Sequence, residues 1–188
     1  MFLVRHGQSE FNVHFSVTGR DPLIRDPELT ELGRSQVRAA ADSLRGFDLK
    51  RIIASPYRRA LQTAEILSDQ LGLDCRIDAT VGEHALYHCD IGTVTSELRR
   101  GWPRWSFDHL AEEWWPASGE DFGTVQDRSR NFFASQKTRD DFDGLLIVSH
   151  WGFIRSLTET EVGNCGVLKI NREAPRKPKV IFEIAGLA

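Results

Sequence analysis

The sequence predicts an α/β protein, a three-layer α/β/α sandwich with a mostly parallel central sheet and helices on both faces. Short apolar segments alternate with amphipathic ones along most of the chain, and several apolar segments run directly into polar residues. Strands that are apolar along their whole length are typical of parallel sheets buried on both faces. The length of 188 residues fits a single domain, 1–188, with a sizeable core.

The first elements follow the order strand, polar turn, helix. Residues 2–4 predict a buried strand that ends in a polar cluster beginning at Arg5. Apolar residues between 29 and 44 follow helical spacing, with Thr30 as N-cap and Gly46 as a stop. The other predicted strands lie at 51–54, 76–79, 145–149, 167–170 and 180–184, and the other helices at 57–71, 125–136 and from Phe153 onward.

One segment, 89–123, shows no clean period and holds four of the five tryptophans. We expect a small tryptophan-rich insertion or lid at about these residues. Because tryptophan is usually largely buried, we expect most of these indoles to pack a satellite core. One or two of them could instead line a pocket.

Composition and charge exclude several classes of protein. The 24 Lys and Arg residues against 27 Asp and Glu give a net charge of −3 and a pI near 6.1, which argues against nucleic acid or an anionic membrane as partner. No apolar run approaches the ~20 residues that cross a bilayer, so we expect no membrane span and no signal peptide. Cys75, Cys89 and Cys165 are odd in number and far apart, which indicates a reducing, cytoplasmic setting.

The residues that carry chemistry follow the predicted parallel strands. Arg5 and His6 come after the first strand, Ser55 after the second, and His150 after the strand at 145–149. In open α/β sheets ligands bind beyond the carboxyl ends of the strands, so we expect these side chains to converge. His150 could instead cap the helix that follows it.

Such a cluster, with Arg59 and the backbone N–H groups from Arg5 to Gly7, would bind an anion. Phosphate fits better than carboxylate, because several donors can each take a separate oxygen. Positive surroundings lower the pKa of histidine, so we expect the imidazole of His6 to be neutral and nucleophilic. The histidines at 14, 84, 88 and 109 show no metal-ligand spacing.

Four segments together match a known family. They read LVRHGQSEFN at 3–12, SPYRRALQTA at 55–64, a glutamate at Glu83 and VSHWGFIR at 148–155. In order and spacing they resemble the histidine phosphatase superfamily, the phosphoglycerate mutase-like proteins. The resemblance covers nearly the whole chain and implies a two-step phosphoryl transfer through a phosphohistidine, with no metal and no other cofactor.

The resemblance also implies a role for each matching residue. His6 resembles the nucleophile, and Glu83 the proton donor to the leaving oxygen. The groups implied to hold the phosphoryl oxygens are Arg5, Arg59 and His150. Asn12 matches an asparagine that contacts phosphate, and we expect Gly7 and Trp151 to contact the substrate as well. Of the adjacent residues Arg58 and Arg59, only one can face the site from a helix, and the family pattern selects Arg59.

Two positions depart from the common pattern of the family. From Glu83 the chain reads EHALYHCDIGTVTSEL, without the usual stretch that contains glycine and tryptophan. His88 and Asp90 therefore stay open as candidates for proton transfer or leaving-group contact. Trp151 stands where the family usually has glycine, where it could narrow the pocket, stack on a substrate ring or point away into packing.

Hydrolysis of a small phosphorylated metabolite is the expected function. The cofactor-dependent mutases of the family are generally longer, with segments that shield the phosphohistidine from water, whereas this chain is short. The alternatives are a small cofactor-dependent phosphoglycerate mutase and a catalytically silent phospho-ligand binding protein. A second anionic group could be contacted by Arg99, Arg100 and Arg104, although we expect these residues to form a solvated basic face.

Overall fold

A six-stranded mixed sheet forms the centre of the part of the chain described by this computed structural model, residues 1–117 and 119–184. Its strands are β1 (Phe2–Arg5), β2 (Arg51–Ala54), β3 (Cys75–Ile77), β4 (Leu145–Ser149), β5 (Val167–Lys169) and β6 (Lys179–Phe182). They lie in the order β3-β2-β4-β1-β5-β6. The first four are mutually parallel, whereas β5 and β6 are antiparallel to their neighbours. The predicted α/β fold with a mostly parallel sheet is confirmed.

Six α-helices accompany the sheet within the same residues. They are α1 (Glu10–Thr18), α2 (Glu31–Leu44), α3 (Arg58–Leu71), α4 (Thr95–Gly101), α5 (Phe122–Lys137) and α6 (Trp151–Thr158). None of these described helices combines the length and the apolarity that crossing a membrane requires. Ser118, in the predicted insertion, and 185–188, at the end of the predicted domain, lie outside the described residues.

Alternate residues of the strands feed two separate cores, one on each face of the sheet. Phe2 and Val4 of β1 pack with apolar residues of α2 and α3, whereas Leu3 packs with those of α5 and α6. Successive side chains of a strand point to opposite faces, so an entirely apolar strand needs helices on both sides. Each fully buried Val, Leu or Ile contributes roughly 1.5–3 kcal/mol. The predicted three-layer arrangement is confirmed.

Most predicted elements are present, with shifts of a few residues at their ends. The hydroxyl of Thr30 accepts the N–H of Gly33 at 3.0 Å and so caps α2 as predicted. β3 ends at Ile77, before Ala79, because the chain turns there into a 3₁₀ turn at Ala79–Val81. α6 begins at Trp151, before Phe153, because the extended backbone of the preceding residue already serves as N-cap.

The helix α1 is absent from the sequence prediction. Its apolar residues alternate with a period of two, the spacing of a strand, at Phe11, Val13, Phe15 and Val17. The helical signal lies in the caps: the Ser9 hydroxyl accepts the N–H of Asn12, and Gly19 ends the helix with φ +63°. Ser9 and Gly19 could therefore have identified this helix where the apolar pattern did not.

The tryptophan-rich segment packs largely against the body of the protein. Trp105 is only 8% exposed and belongs to the core beside α2 and α3, and Trp102 and Trp114 pack against that core. The indole N–H of Trp114 donates to the carbonyl of Thr93 at 2.8 Å. Most of these indoles are packed, as expected, but the expected satellite core is wrong, because they join the core beside α2 and α3. That residues 89–123 form an insertion or a lid stays a prediction.

Candidate active site

Three strand ends meet at one edge of the sheet. Arg5, the last residue of β1, lies in register with Ser149, the last residue of β4. The Nε2 atom of His150 lies 2.8 Å from the hydroxyl of Ser55, which follows β2. The imidazole rings of His6 and His150 have their centroids 5.1 Å apart. The convergence expected from the strand order is therefore present.

A cavity of about 360 Å³ opens beside His6. Two groups of residues form most of its lining. We call the first the charged end, which consists of Arg5, His6, Arg59, Glu83 and Asp90. We call the second the apolar wall, which consists of Phe11, Phe15, Leu86 and Tyr87. His150 is fully buried and does not border this cavity, but its ring lies against that of His6.

The side chain of His6 is held in one tautomer. Its Nδ1 atom lies 2.8 Å from the carbonyl oxygen of Gly7. A carbonyl can only accept, so Nδ1 carries the proton and Nε2 keeps its lone pair. Nε2 has no hydrogen-bond partner among the residues described. Burial and the charges of Arg59 and Arg5 hold the pKa of His6 well below its ordinary value, which leaves a neutral imidazole with the lone pair that a nucleophile needs.

The two guanidinium groups of the charged end differ in their partners. Arg59 donates from Nη1 to the carbonyl of Cys89 at 2.7 Å and from Nη2 to Oδ1 of Asp90 at 3.1 Å. Burial alone would lower the pKa of Arg59, but Cys89 and Asp90 raise it above its ordinary value. Arg5 donates from Nη1 to the carbonyl of Val162 at 2.9 Å. Both groups supply fixed positive charge beside His6.

Two buried nitrogen atoms near His6 lack a hydrogen-bond partner among the described residues. They are Nε of Arg5 and Nδ1 of His150. A buried polar group left unpaired costs about 1–3 kcal/mol, and such groups are rare in folded proteins. In the described part of the chain, two other buried side-chain atoms, in Gln36 and Gln70, share this property. Oxygen atoms of a bound anion would give hydrogen-bond partners to the two nitrogen atoms near His6, Nε of Arg5 and Nδ1 of His150.

The carboxyl group of Glu83 is fixed by the first turn of α6. Its Oε1 atom accepts the N–H of Gly152 at 2.7 Å and that of His84 at 2.9 Å. A Cβ atom at Gly152 would overlap Oε1, so glycine is required for this approach. Burial, followed by the negative charge of Asp90, raises the pKa of Glu83. The raised pKa lets this carboxyl group hold its proton to higher pH than an exposed glutamate does, which suits it to donate a proton.

The predicted substrate contacts Asn12 and Trp151 both border the cavity. The Oδ1 atom of Asn12 accepts the N–H and the hydroxyl of Ser9, each at 3.0 Å. The guanidinium of Arg155 lies 4.9 Å from the centroid of a Trp151 ring. Trp151 therefore borders the cavity and also packs on Arg155, a residue outside the cavity.

The backbone N–H groups from Arg5 to Gly7 are not available to an anion. They donate to the carbonyls of the neighbouring strand segments at 3.2 and 2.9 Å and to the hydroxyl of Thr63 at 3.2 Å. The prediction that they bind the anion is wrong, because the sheet and α3 use all three donors. Gly7 does not border the cavity; a Cβ atom there would lie 2.7 Å from the carbonyl of Gly33 in α2. Its predicted contact with substrate is therefore not supported by its position.

The two further candidates for proton transfer are placed differently. Asp90 lines the cavity, and its Oδ2 atom accepts the N–H groups of Leu86 and Tyr87 at 3.0 Å each, while Oδ1 accepts from Arg59. Both of its oxygens are therefore engaged. His88 lies at the surface, where its Nδ1 atom is 3.1 Å from Asp21.

Three arginines that the sequence offers as candidates lie outside the charged end and pair with carboxylates. The pairs are Arg58 with Glu28, Arg99 with Asp108 and Arg104 with Asp69. Of the two adjacent arginines, only Arg59 faces the site, as predicted. Arg99 and Arg104 belong to a solvated face, as expected. Among the described residues, no group of three or more His, Cys, Asp or Glu is arranged to hold a metal ion.

Comparison with known proteins identifies the family. The sequence model of the histidine phosphatase superfamily (branch 1) matches residues 1–169 of this chain. The chain belongs to this superfamily. A glucosyl-3-phosphoglycerate phosphatase of Mycobacterium tuberculosis is 30% identical over 172 residues, which cover 84% of this chain and 73% of the relative. A probable phosphoglycerate mutase of Enterobacter sp. is 27% identical over 191 residues, which cover 93% of this chain and 86% of the relative.

A solved structure agrees with the fold of this histidine phosphatase. The mycobacterial glucosyl-3-phosphoglycerate phosphatase in complex with inorganic phosphate superimposes with a TM-score of 0.63 at 24% identity. The alignment covers 98% of this chain and 96% of that chain. At this identity the likeness is evidence for the fold alone. The predicted family is confirmed by the match over residues 1–169.

Sequence reasoning missed one contributor to this site and gave another a different role. Gly152, which was not predicted, holds Glu83 through its N–H. Asp90, a candidate for proton transfer or leaving-group contact, instead holds Arg59 and places negative charge beside Glu83. A glycine in the first turn of a helix that follows a strand end was the available signal for the first. The buried position of Asp90 had no signal in the sequence, because it depends on how the irregular chain after Glu83 folds back on α3.

Proposed function

We propose that this member of the histidine phosphatase superfamily is a phosphomonoesterase that hydrolyses a small phosphorylated metabolite through a phosphohistidine on His6, without a metal ion. The tautomer of His6 carries the proposal: Nδ1 is committed to the Gly7 carbonyl, and Nε2 keeps its lone pair at the cavity. The remaining site residues have the roles that their positions support.

In the first step, the phosphoryl group of the substrate binds beside Arg5 and Arg59. Nε2 of His6 attacks phosphorus, and the bond from phosphorus to the ester oxygen breaks in line. Glu83 gives its proton to that oxygen, so the leaving group departs as an alcohol. The positive charge that develops on the imidazole is stabilised by the Gly7 carbonyl at Nδ1. The unpartnered Nε of Arg5 becomes a donor to a phosphoryl oxygen. We infer the same role for Nδ1 of His150, because its ring lies against that of His6, where the phosphoryl group is transferred.

In the second step, water hydrolyses the phosphohistidine. The carboxylate of Glu83 takes a proton from water as the water oxygen bonds to phosphorus and the bond from phosphorus to Nε2 breaks. Inorganic phosphate leaves, and His6 and Glu83 return to their starting protonation states. Asn12 and Trp151 border the cavity from positions that allow contact with the bound ester.

Exposure at the mouth of the cavity supports hydrolysis over mutase chemistry. Leu86 and Tyr87 are 47% and 38% exposed, so water reaches the region where the leaving group departs. A mutase must keep its phosphohistidine away from water until the rearranged product is phosphorylated. We therefore favour transfer to water. The reducing, cytoplasmic setting expected from the three cysteines stays a prediction.

The proposal is tested with an aryl phosphate and purified protein in the presence of a chelator. We expect metal-independent hydrolysis, and we expect His6→Ala to lower kcat/KM by roughly 10⁴ or more, since it removes the nucleophile. His88→Ala is the matched control, because His88 is an exposed histidine paired with Asp21, and it should retain activity.

Labelling tests the intermediate directly. Transfer of ³²P to wild-type protein, stable in alkali, labile in acid and absent from His6→Ala, supports the covalent step. Absent label under single-turnover trapping contradicts it. Interconversion of phosphoglycerates that depends on a bisphosphorylated primer would indicate a mutase, and phosphate binding without turnover would indicate a silent binding protein.

A further inference from the structure

Three aromatic rings of the cavity lining contact one another. The ring centroids of Phe11 and Phe15 are 5.1 Å apart and nearly parallel, and that of Tyr87 lies 5.5 Å from the first and 5.2 Å from the second. Leu86 extends this surface and is 47% exposed. Phe15 and Tyr87 are partly or largely exposed, and Phe11, which is 8% exposed, packs behind them. Exposed apolar surface inside a concave site loses contact with water when an apolar ligand binds there.

Positive charge in the cavity is confined to the charged end. Among the described residues that line the cavity, Arg5 and Arg59 are the only arginines or lysines. Arg155 lies against Trp151 but is 3.6 Å from Glu161 and does not border the cavity. Once a phosphoryl group occupies the charged end, no further arginine or lysine among these lining residues remains for a second anionic group.

The carboxylate of Asp90 acts against a second anion. Asp90 borders the cavity, and the amides of Leu86 and Tyr87 donate to it, whereas Glu83 carries a proton and no charge when the substrate binds. A substrate carboxylate beside the apolar wall would lose its hydration without gaining a counter-ion, which is strongly unfavourable. The volume of about 360 Å³ lies near the lower end of the range for ligand pockets, so the ester is small.

From this arrangement we infer that the substrate is a phosphomonoester whose leaving group is uncharged and carries an aromatic or similarly flat apolar group, which packs on Phe11, Phe15 and Tyr87. The inference rests on the proposed phosphatase activity and adds the class of substrate. This leaving group differs from the acidic phosphoglycerate moiety in the names of the relatives. In this cavity the leaving group would lie beside the apolar wall, which is largely aromatic and contains no arginine or lysine.

The test compares esters of matched reactivity. Phenethyl phosphate and 3-phosphoglycerate both release a primary alcohol, so a difference in kcat/KM reports recognition of the leaving group. We expect phenethyl phosphate to be preferred at least about tenfold, the effect of one well-packed ring. A preference for 3-phosphoglycerate or for a hexose phosphate, with turnover intact, overturns the inference and leaves the proposed phosphatase standing.

Variants of the wall make the test specific. Phe15→Ser should lower kcat/KM for phenethyl phosphate about tenfold more than it lowers kcat/KM for ethyl phosphate, which has no ring. Val17→Ser is the matched control, because it makes the same kind of change on α1 at a side chain that is 83% exposed. Leu86→Ser, at an exposed position, provides a second variant if the first fails to fold. Equal losses with both esters would show a structural effect and overturn the assignment.

Binding separates failure of this inference from failure of the proposed function. Phenylphosphonate cannot be hydrolysed, and its affinity is measurable by calorimetry whether or not the protein turns over esters. Tighter binding of phenylphosphonate than of phosphonoacetate, reduced in Phe15→Ser and not in Val17→Ser, supports the aromatic subsite. Equal affinity for the two phosphonates, or unchanged affinity in Phe15→Ser, overturns it.

Discussion

The charged end and the apolar wall of one cavity are built in different ways. At the charged end, His6 and Arg59 are each 3% exposed, and hydrogen bonds to Gly7, Cys89 and Asp90 fix their orientation. The residues of the apolar wall belong to α1 and to the irregular chain after Glu83, and two of the four, Leu86 and Tyr87, are exposed to solvent. The first region is organised before any ligand arrives, as transition-state stabilisation requires. The second can change its side chains without disturbing the sheet, so chemistry and specificity are separable here.

The largest loss of kcat/KM in this comparison should come from changing Arg59, which supplies both a positive charge and N–H donors of fixed direction at the charged end. Arg59→Lys keeps a positive charge, but an ammonium group cannot reproduce two fixed N–H directions toward Cys89 and Asp90 while also facing a phosphoryl group. We expect kcat/KM to fall by about 10²–10³, as for loss of one preorganised donor. Steady-state kinetics on folded protein, checked by circular dichroism, measures it.

The neighbouring arginine gives the control for that change. Arg58→Lys alters the same type of residue one position earlier on α3, where the side chain pairs with Glu28 outside the site. Its kcat/KM should stay close to wild type. Similar losses in both variants would mean that the helix, and not the placement of Arg59, determines the rate.

The charged end could be predicted from the sequence because strand order places it. Arg5 ends an apolar strand, His6, Ser55 and His150 each follow one, and parallel strands present their carboxyl ends at one edge. The orientation of donors could not be predicted in the same way. Whether the N–H of Gly7 faces an anion or Thr63 depends on how closely the turn packs on α2 and α3, and that distance is set by packing rather than by residue type.

The apolar wall was largely hidden from sequence reasoning. The alternating apolar residues of α1 have the period of a strand, and the helix forms because Ser9 and Gly19 cap it. Tyr87 lies in irregular chain whose course is set by contacts such as the amide of Tyr87 with Asp90. Tertiary contacts of this kind override local propensity and leave no periodic trace.

The next effect in size concerns the acid at the charged end. In Gly152→Ala the new methyl group would overlap Oε1 of Glu83, so the carboxyl group must move and its hydrogen bond from the α6 N–H is lost. We expect kcat/KM for an alkyl phosphate to fall about tenfold, part of the range typical for a general acid. For an aryl phosphate, whose leaving group needs little protonation, the fall should be smaller.

The dependence on leaving group distinguishes a displaced acid from general damage. Gly101→Ala is the matched control, since a Cβ atom at Gly101 meets nothing within 4 Å, and it should leave both substrates unaffected. Equal losses for alkyl and aryl phosphates in Gly152→Ala would contradict a specific effect on Glu83.

The smallest expected change in rate comes from Asp90→Asn, and it appears as a shift of the pH profile. The first step uses the proton of Glu83, so kcat/KM should fall as pH rises through the pKa of Glu83, which burial and then the charge of Asp90 raise. Asparagine removes that negative charge but keeps an oxygen acceptor for the amides of Leu86 and Tyr87. The pKa of Glu83 then drops, and the descending limb should move to lower pH.

Wild-type and variant profiles of kcat/KM for an alkyl phosphate, taken over the pH range in which both proteins stay folded, measure this shift. If the descending limb stays in place or moves to higher pH, the charge of Asp90 does not raise the pKa of Glu83. Burial then sets that pKa, and Asp90 acts only by holding Arg59.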